Sequence, residues 1–141
     1  MIYKAIKYIL ENDADFLAAI GTDSDSDIKA YPIHPRKEVS LPFCVFSITD
    51  QTGNPSKDRP SINGIDNIRI RISIFGEDLD VLIDIVEKCR IALDNEKTGG
   101  TYNSVVIVSI DFESLNDTFE PGHGDRGALG IDMNYEIWSE P

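Results

Sequence analysis

The most chemically suggestive segment of the chain is rich in glycine and runs from Gly122 to Gly127, with His123, Asp125 and Arg126 between the glycines. Its spacing matches GxGxxG, a pattern in which glycines let a pyrophosphate approach the N-terminus of a helix. Here a strand-like pattern follows, and only 14 residues remain. That is too few for the acidic ribose ligand expected about 20 residues further on. We therefore interpret the segment as a loop between strands and predict no cofactor.

A second pattern places carboxylates at alternate positions, on Asp23, Asp25 and Asp27, as the first ligands of a calcium loop do. Calcium loops also need glycine at the sixth position and glutamate at the twelfth. This chain has Ile28 and His34 there. The pattern therefore favours a solvated loop, with an ion site as the alternative, and we predict no metal ligand.

The remaining nucleophiles and bases do not form a catalytic arrangement. His34 and His123 fall in separate loops, and neither has a serine or cysteine in a glycine-rich elbow nearby. Cys44 lies in an apolar run and Cys89 in a helical pattern, without a companion at metal-ligand spacing. We expect both to be buried thiols in a reducing compartment. The chain is therefore predicted to have no catalytic residues and no enzyme activity.

Two helices are predicted at the N-terminus. Asp13 has the character of an N-cap for a short second helix that Gly21 closes in the left-handed conformation. The first helix is indicated by apolar residues at helical spacing, namely Ile2, Ile6, Ile9 and Leu10. This apolar stripe must pack on a sheet.

A longer helix is predicted to follow Gly76 and to run to about Asp94. Its apolar residues, Val81 and Ile85 among them, fill a sector of roughly 200°. A helix that lies on a sheet needs only about half that width. We therefore expect a second partner, either the first helix or a neighbouring subunit.

The clearest strand alternates apolar and polar residues and places Ile68, Ile70, Ile72 and Ile74 on one sheet face. Further strands are predicted over residues 28–33, 43–49, 104–112 and 129–137, the third of them apolar on both faces and therefore central. Residues 51–62 contain prolines and are predicted to form a loop. The order predicts a single α+β domain over residues 1–141, a mostly antiparallel sheet with the N-terminal helix and the second long helix packed on one face.

The charge of the chain is acidic and unevenly distributed. Its 141 residues hold 13 Lys and Arg against 25 Asp and Glu, a net charge of −12, which argues against a surface that binds nucleic acid throughout. No apolar run approaches the about 20 residues that span a bilayer. The loops around residues 34–41 and 51–62 are the exception, because they carry Arg36, Lys37, Lys57 and Arg59. These four predict a patch that contacts an acidic partner, with a solvated mixed surface as the alternative.

Several segments follow one another in a familiar order: an N-terminal helix ending near residues 13–16, a Tyr31-Pro32 step, and residues 41–46, 69–76, 86–93 and 131–138. In order and spacing they resemble the small tail completion proteins, also called tail-to-head joining proteins, of long-tailed bacteriophages and their prophages. The resemblance covers nearly the whole chain. It implies a structural virion protein with a fold similar to that of tail terminators.

The resemblance also implies how the protein acts. It predicts a ring of identical subunits on the head-proximal end of the tail tube, with the tail tube protein and the head-tail connector protein as partners. The protein would be located in the virion, and in the host cytoplasm during assembly. DNA would pass through the ring without specific binding, because an acidic wall repels phosphate. We expect no membrane partner.

The protein interface predicted on this interpretation comprises Arg36, Lys37, Lys57 and Arg59 in the loops, with Val81 and Ile85 on the long helix. Two other interpretations stay open. One is a non-catalytic module that binds a ligand or peptide, or acts as an adaptor, through a pocket between helix and sheet. The other is an enzyme that uses His123, Asp125 and Arg126.

Overall fold

The computed structural model describes residues 2–33, 39–54, 65–94, 100–102, 105–120 and 128–140. Within these ranges the chain forms helices and strands in a mixed order. They are α1 (Ile2–Glu11), α2 (Ala14–Ile20), β1 (Ala30–Pro32), β2 (Phe43–Asn54), β3 (Ile65–Gly76), α3 (Leu79–Asp94), β4 (Gly100–Tyr102), β5 (Val105–Glu120) and β6 (Ala128–Ser139).

The two N-terminal helices form where the sequence predicts them. The predicted apolar stripe of α1 is buried, and the Asp13 side chain caps α2 by accepting a hydrogen bond from the Phe16 N–H at 2.9 Å. Gly21 ends α2 with its N–H donated to the Leu17 carbonyl. Its backbone has φ +82° and ψ −174°, so it lies outside the predicted left-handed helical conformation, in a region that is essentially open to glycine alone.

The strands form one sheet in the order β1-β2-β3-β6-β5-β4. Every neighbouring pair is antiparallel except β1 and β2, which are parallel. The four predicted isoleucines of β3 are all buried, in a core cluster that also contains side chains from β6 and from all three helices. The predicted α+β class, with a mostly antiparallel sheet and helices on one face, is therefore confirmed.

The wide apolar sector of α3 is explained within the chain. The helix packs against the sheet and also against α1 and α2. Its buried side chains are Leu82, Ile85, Val86, Cys89, Ala92 and Leu93. The sequence predicted a second partner for α3, either the first helix or a neighbouring subunit. Within the chain, the two N-terminal helices are that partner for much of the sector.

Two strand predictions were wrong. Residues 51–54 were predicted to form a loop but continue β2, because they pair with Ile65–Ile68 of β3 beyond a register shift between Ile48 and Asp50. The predicted central position of β5 was also wrong, since β4 pairs with it only along Val105–Ile107. Its apolar run reflects a bulge: Ile107 and Ile110 are buried, whereas Val108 between them is 40% exposed.

We expect Gly21→Ala to lower the free energy of unfolding by about 1 to 3 kcal/mol, because alanine must adopt a glycine-only backbone conformation. The added Cβ itself meets only ordinary contact, with Lys29 Cε at 3.5 Å. Urea denaturation monitored by circular dichroism measures the change.

Gly76→Ala is the matched control. A Cβ at Gly76 would lie 3.7 Å or more from Leu82 and Pro42, with no positive φ to strain it, so this change should be nearly neutral. Equal losses for the two variants would contradict the backbone explanation.

Candidate interaction surfaces

The predicted basic patch lies outside the described residues. This holds for Arg36, Lys37, Lys57 and Arg59, and also for His34 and the whole glycine-rich segment with His123, Asp125 and Arg126. The contacts predicted for these side chains stay predictions.

The two predicted interface residues on α3 lie in different environments. Val81 is 49% exposed, whereas Ile85 is fully buried in the core and presents no surface to a partner in this conformation. Three further apolar side chains of α3 are exposed at 53%, 42% and 59%, and these are Leu79, Ile83 and Ile91. Helical periodicity places Leu79 and Ile83 in the same apolar sector. It does not indicate which part of that sector the rest of the chain covers.

The outward side of α3 also carries charge. Lys88 donates to Asp84 at 2.9 Å in an i,i+4 pair, and this hydrogen bond raises the pKa of Lys88. Both side chains are well exposed, so the pair adds little stability. The outward side of α3 thus presents both apolar and charged side chains.

The sheet face opposite the helices is polar and partly solvated, and we call it the open face. Polar side chains bridge its strands. The contacts are Ser73 Oγ to Asp132 Oδ1 at 2.6 Å, Asn67 Nδ2 to Glu136 Oε1 at 2.9 Å, Asn134 Nδ2 to Ser114 Oγ at 3.0 Å, and the ion pair of Arg69 Nη2 with Glu136 Oε2 at 3.7 Å. These contacts link the middle strands across the face. Near the beginning of β2 the same face also carries a second apolar cluster, in which Tyr31, Val39 and Phe43 are buried and Val45 and Phe75 pack against them.

Charges on the open face are incompletely paired. Asp111 on β5 lies directly opposite Glu136 on β6, an unfavourable juxtaposition of like charges. Arg71 on β3 lies between Ser47 and Asn134, is exposed, and has no ion-pair partner among the described residues. The face therefore has a surplus carboxylate on β5 and a surplus cation on β3.

At each lateral edge of the sheet, a short strand covers only part of the long strand next to it. The rest of that long strand has no neighbouring strand on its outer side in the described residues. β1 covers β2 only along Cys44–Phe46, and the Ile48 N–H is donated to the Tyr3 hydroxyl at 2.9 Å. We call the remaining stretch Thr49–Asn54 the β2 edge. Beyond the residues that β4 covers, we call Val108–Glu120 the β5 edge. Neither edge pairs with another strand in the part of the chain that the structure describes.

The aspartate-rich loop is organised by its first carboxylate. Asp23 Oδ1 accepts the N–H groups of Asp25 at 2.8 Å and Asp27 at 3.1 Å, and Oδ2 accepts the Tyr31 hydroxyl at 2.8 Å. Among the described residues, no group of three or more His, Cys, Asp or Glu side chains is suited to hold a metal ion. Asp23 thus acts as an internal acceptor that shapes the loop.

Lys29 follows this loop and links it to the segment before β2. Its side chain is buried and Nζ donates to the Ser40 carbonyl at 3.3 Å. Burial lowers the pKa of Lys29, and the nearby Asp23 carboxylate opposes part of this shift.

The reactive side chains of the core are inaccessible. Cys44 and Cys89 are wholly buried free thiols, as predicted, and burial raises the pKa of both. Burial likewise raises the pKa of Tyr135, with smaller effects from nearby groups including Cys89. A thiol in this state is protonated at neutral pH and is a poor nucleophile.

Arg90 on α3 lies close to the sheet, next to Phe112 of β5. Its guanidinium carbon lies 3.9 Å from the centre of the Phe112 ring, and its Nε is buried without a hydrogen-bond partner. The cation thereby packs against the Phe112 ring of β5, and within the described ranges it forms no ion pair.

Comparison with known proteins identifies the fold. No protein-family model matches the chain, and no curated protein matches it. Among solved structures 29 chains match. One belongs to the virion of a native gene transfer agent (GTA) particle; it superimposes with a TM-score of 0.66 over 97% of this chain and 92% of that chain, at 14% sequence identity.

At this identity the likeness shows a shared fold. It extends over almost the full length of both chains, so the sheet and its helices belong to the shared fold. Within the described residues no helix is long and apolar enough to cross a membrane.

We expect the thiols of the native protein to react with a disulfide reagent such as DTNB only as fast as the protein opens, because both are fully buried. In concentrated urea two thiols per chain should react at once, as the chain has two cysteines. Stopped-flow absorbance measures both rates. Rapid labelling of either thiol in the folded protein would contradict the described packing.

Proposed function

We propose that the protein is a structural component of a phage or phage-like virion that completes the tail and joins it to the head connector. The observation that carries this proposal is the near full-length likeness of fold to a chain of a GTA virion. The order and spacing of segments that resemble tail completion proteins support the same function. On this proposal the protein is located in the virion and, before assembly, in the host cytoplasm.

The segments that carry the family resemblance lie mainly in the elements that build the core. Residues 69–76 belong to β3 and residues 131–138 to β6, which pair with each other in the middle of the sheet. They favour the fold, while partner choice depends on surfaces elsewhere. We assign the contacts with the tail tube protein and the connector protein to the segments that contain Arg36, Lys37, Lys57 and Arg59, and to Val81 on α3.

We further propose that the protein acts by assembly and without catalysis. Buried thiols of raised pKa and a buried tyrosine support this, because none of them is available to a substrate. Identical subunits would close into a ring through a heterologous contact, in which each copy presents one surface to the next. The net charge of −12 suits a ring through which DNA slides, since like charge disfavours phosphate contacts.

Reversing the loop charges should block joining and leave folding intact. We expect Arg36→Glu with Lys37→Glu, and separately Lys57→Glu with Arg59→Glu, to give free heads and free tails by electron microscopy. The assay supplies each variant to a particle-producing strain that lacks the gene, and the titre should fall to that of the deletion.

The matched control reverses two charges on α1, with Lys4→Glu and Lys7→Glu. Lys4 is exposed and Lys7 partly exposed, so the control changes the net charge equally at another surface. Normal particles from both loop variants would refute the assignment of these contacts. Normal particles from the gene deletion itself would refute the proposed function.

A further inference from the structure

The β2 edge and the β5 edge lie at opposite ends of one sheet and are both long, exposed backbone edges. Such edges bind other strands unless they are protected, because their N–H and C=O groups lack partners. The described side chains of Thr49–Thr52 on one edge are exposed, and so are most of those between Val108 and Asp117 on the other. An edge of this kind is a binding surface for an extended segment.

The topology makes the two edges complementary in direction. β2 is antiparallel to β3, β3 to β6, and β6 to β5, so β2 and β5 run in opposite directions. When a second copy is placed beside the first in the same orientation, its β2 edge therefore meets the β5 edge as an antiparallel pair. The buried and open faces of the two sheets would continue into each other.

The short end strands leave room for a short pairing. β1 covers the beginning of β2 and β4 covers the beginning of β5, and because the two strands are antiparallel these beginnings lie at opposite ends of the strands. Thr52 is level with Ser109 through the cross-strand partners Asn67 and Trp138, whereas Gly53 is level with Ile107, which β4 covers. Thr49–Thr52 are therefore level with an uncovered part of β5.

Charge disfavours one of the possible pairings. The β5 edge carries Asp111, Glu113, Asp117 and Glu120 and no basic residue, so two β5 edges repel each other. The β2 edge carries one acid, Asp50, whose cross-strand partner on β3 is Arg69. Fewer like charges therefore meet when a β5 edge pairs with a β2 edge than when it pairs with a second β5 edge. Asp50 is level with Asp111 through Arg69 and Glu136, so a register shifted along the strand is favoured over the level one.

We propose that the β5 edge of one copy pairs with the β2 edge of the next, so that the sheet continues from subunit to subunit. The occupant of each edge is thus a second copy of this chain. The inference rests on the ring in the proposed function and names the surfaces that close it. The bulges of β5 between Ile107 and Ser109 and between Phe112 and Ser114 interrupt a regular ladder, so the pairing extends over a short stretch on either side of Asp111.

Disulfide trapping tests this pairing. One preparation carries Thr52→Cys with an affinity tag, and the untagged partner carries Ser109→Cys, Asp111→Cys or Ser114→Cys, successive open-face positions that scan the register. A neighbouring strand brings one pair within the Cα separation of roughly 4.4 to 6.8 Å that a disulfide needs. The native cysteines are buried and should remain unlinked.

We expect mild oxidation of the mixtures to give tagged–untagged dimers for at least one register. The control mixes tagged Thr52→Cys with untagged Glu87→Cys, an exposed position on α3. The yield of mixed dimers should be roughly tenfold or more above that of the control, because pairing raises the effective concentration of the two thiols. The same oxidation of each variant alone should give few dimers.

Dimers dominated by Thr52→Cys with itself, or by a β5 variant with itself, would overturn the proposal. Yields no higher than the α3 control in every register, including the result that all variants stay monomeric, would overturn it as well. The outcome is separate from that of the particle assay. Normal joining of heads and tails without the gene refutes the virion function and leaves the pairing to be judged by the cross-links, whereas defective joining without cross-links refutes only the pairing.

Discussion

The structure depends on the row of four isoleucines along β3. They place one face of a central strand under the helices, and every one of them is buried. An antiparallel sheet with one apolar face needs a cover on that face and leaves the other to water. α1, α2 and α3 supply the cover, while the open face carries polar contacts along its middle strands and a smaller apolar cluster around Phe43 and Phe75. The same constraint separates residues that make the fold from residues that can meet a partner.

This separation explains which parts of the molecule the sequence predicted. Alternation with period two gave the isoleucine row, helical spacing gave α1 and α3, and the cap at Asp13 followed from a local hydrogen bond to Phe16. These features depend on neighbours a few residues away. The continuation of β2 to Asn54 and the position of β5 beside the short β4 depend instead on pairing with distant strands, for which a single sequence carries no local signal. A bulge also hides the alternation of β5, since Val108 is exposed between two buried isoleucines.

The candidate interface was less predictable than the fold for a related reason. Val81 and Ile85 share one apolar sector in the sequence, yet in the structure Ile85 is buried and Val81 is exposed. Periodicity measures how wide an apolar face is and not which part of it the rest of the chain will occupy. The two free strand edges were missed altogether, because a backbone edge has no signature in side-chain type. They became visible only when the order of all the strands was known.

The hydrogen bond from the Ile48 N–H to the Tyr3 hydroxyl joins the residue just before the β2 edge to the first turn of the N-terminal helix. Tyr3 also lies against Phe46, with ring centres 5.7 Å apart, so the phenol is held from two sides. A strand that extends along β2 as far as Ile48 must take this donor from the tyrosine and release its hydroxyl. The position of the Tyr3 ring thus couples the binding of a strand along β2 to the packing of α1. A change in the environment of this tyrosine would accompany such binding.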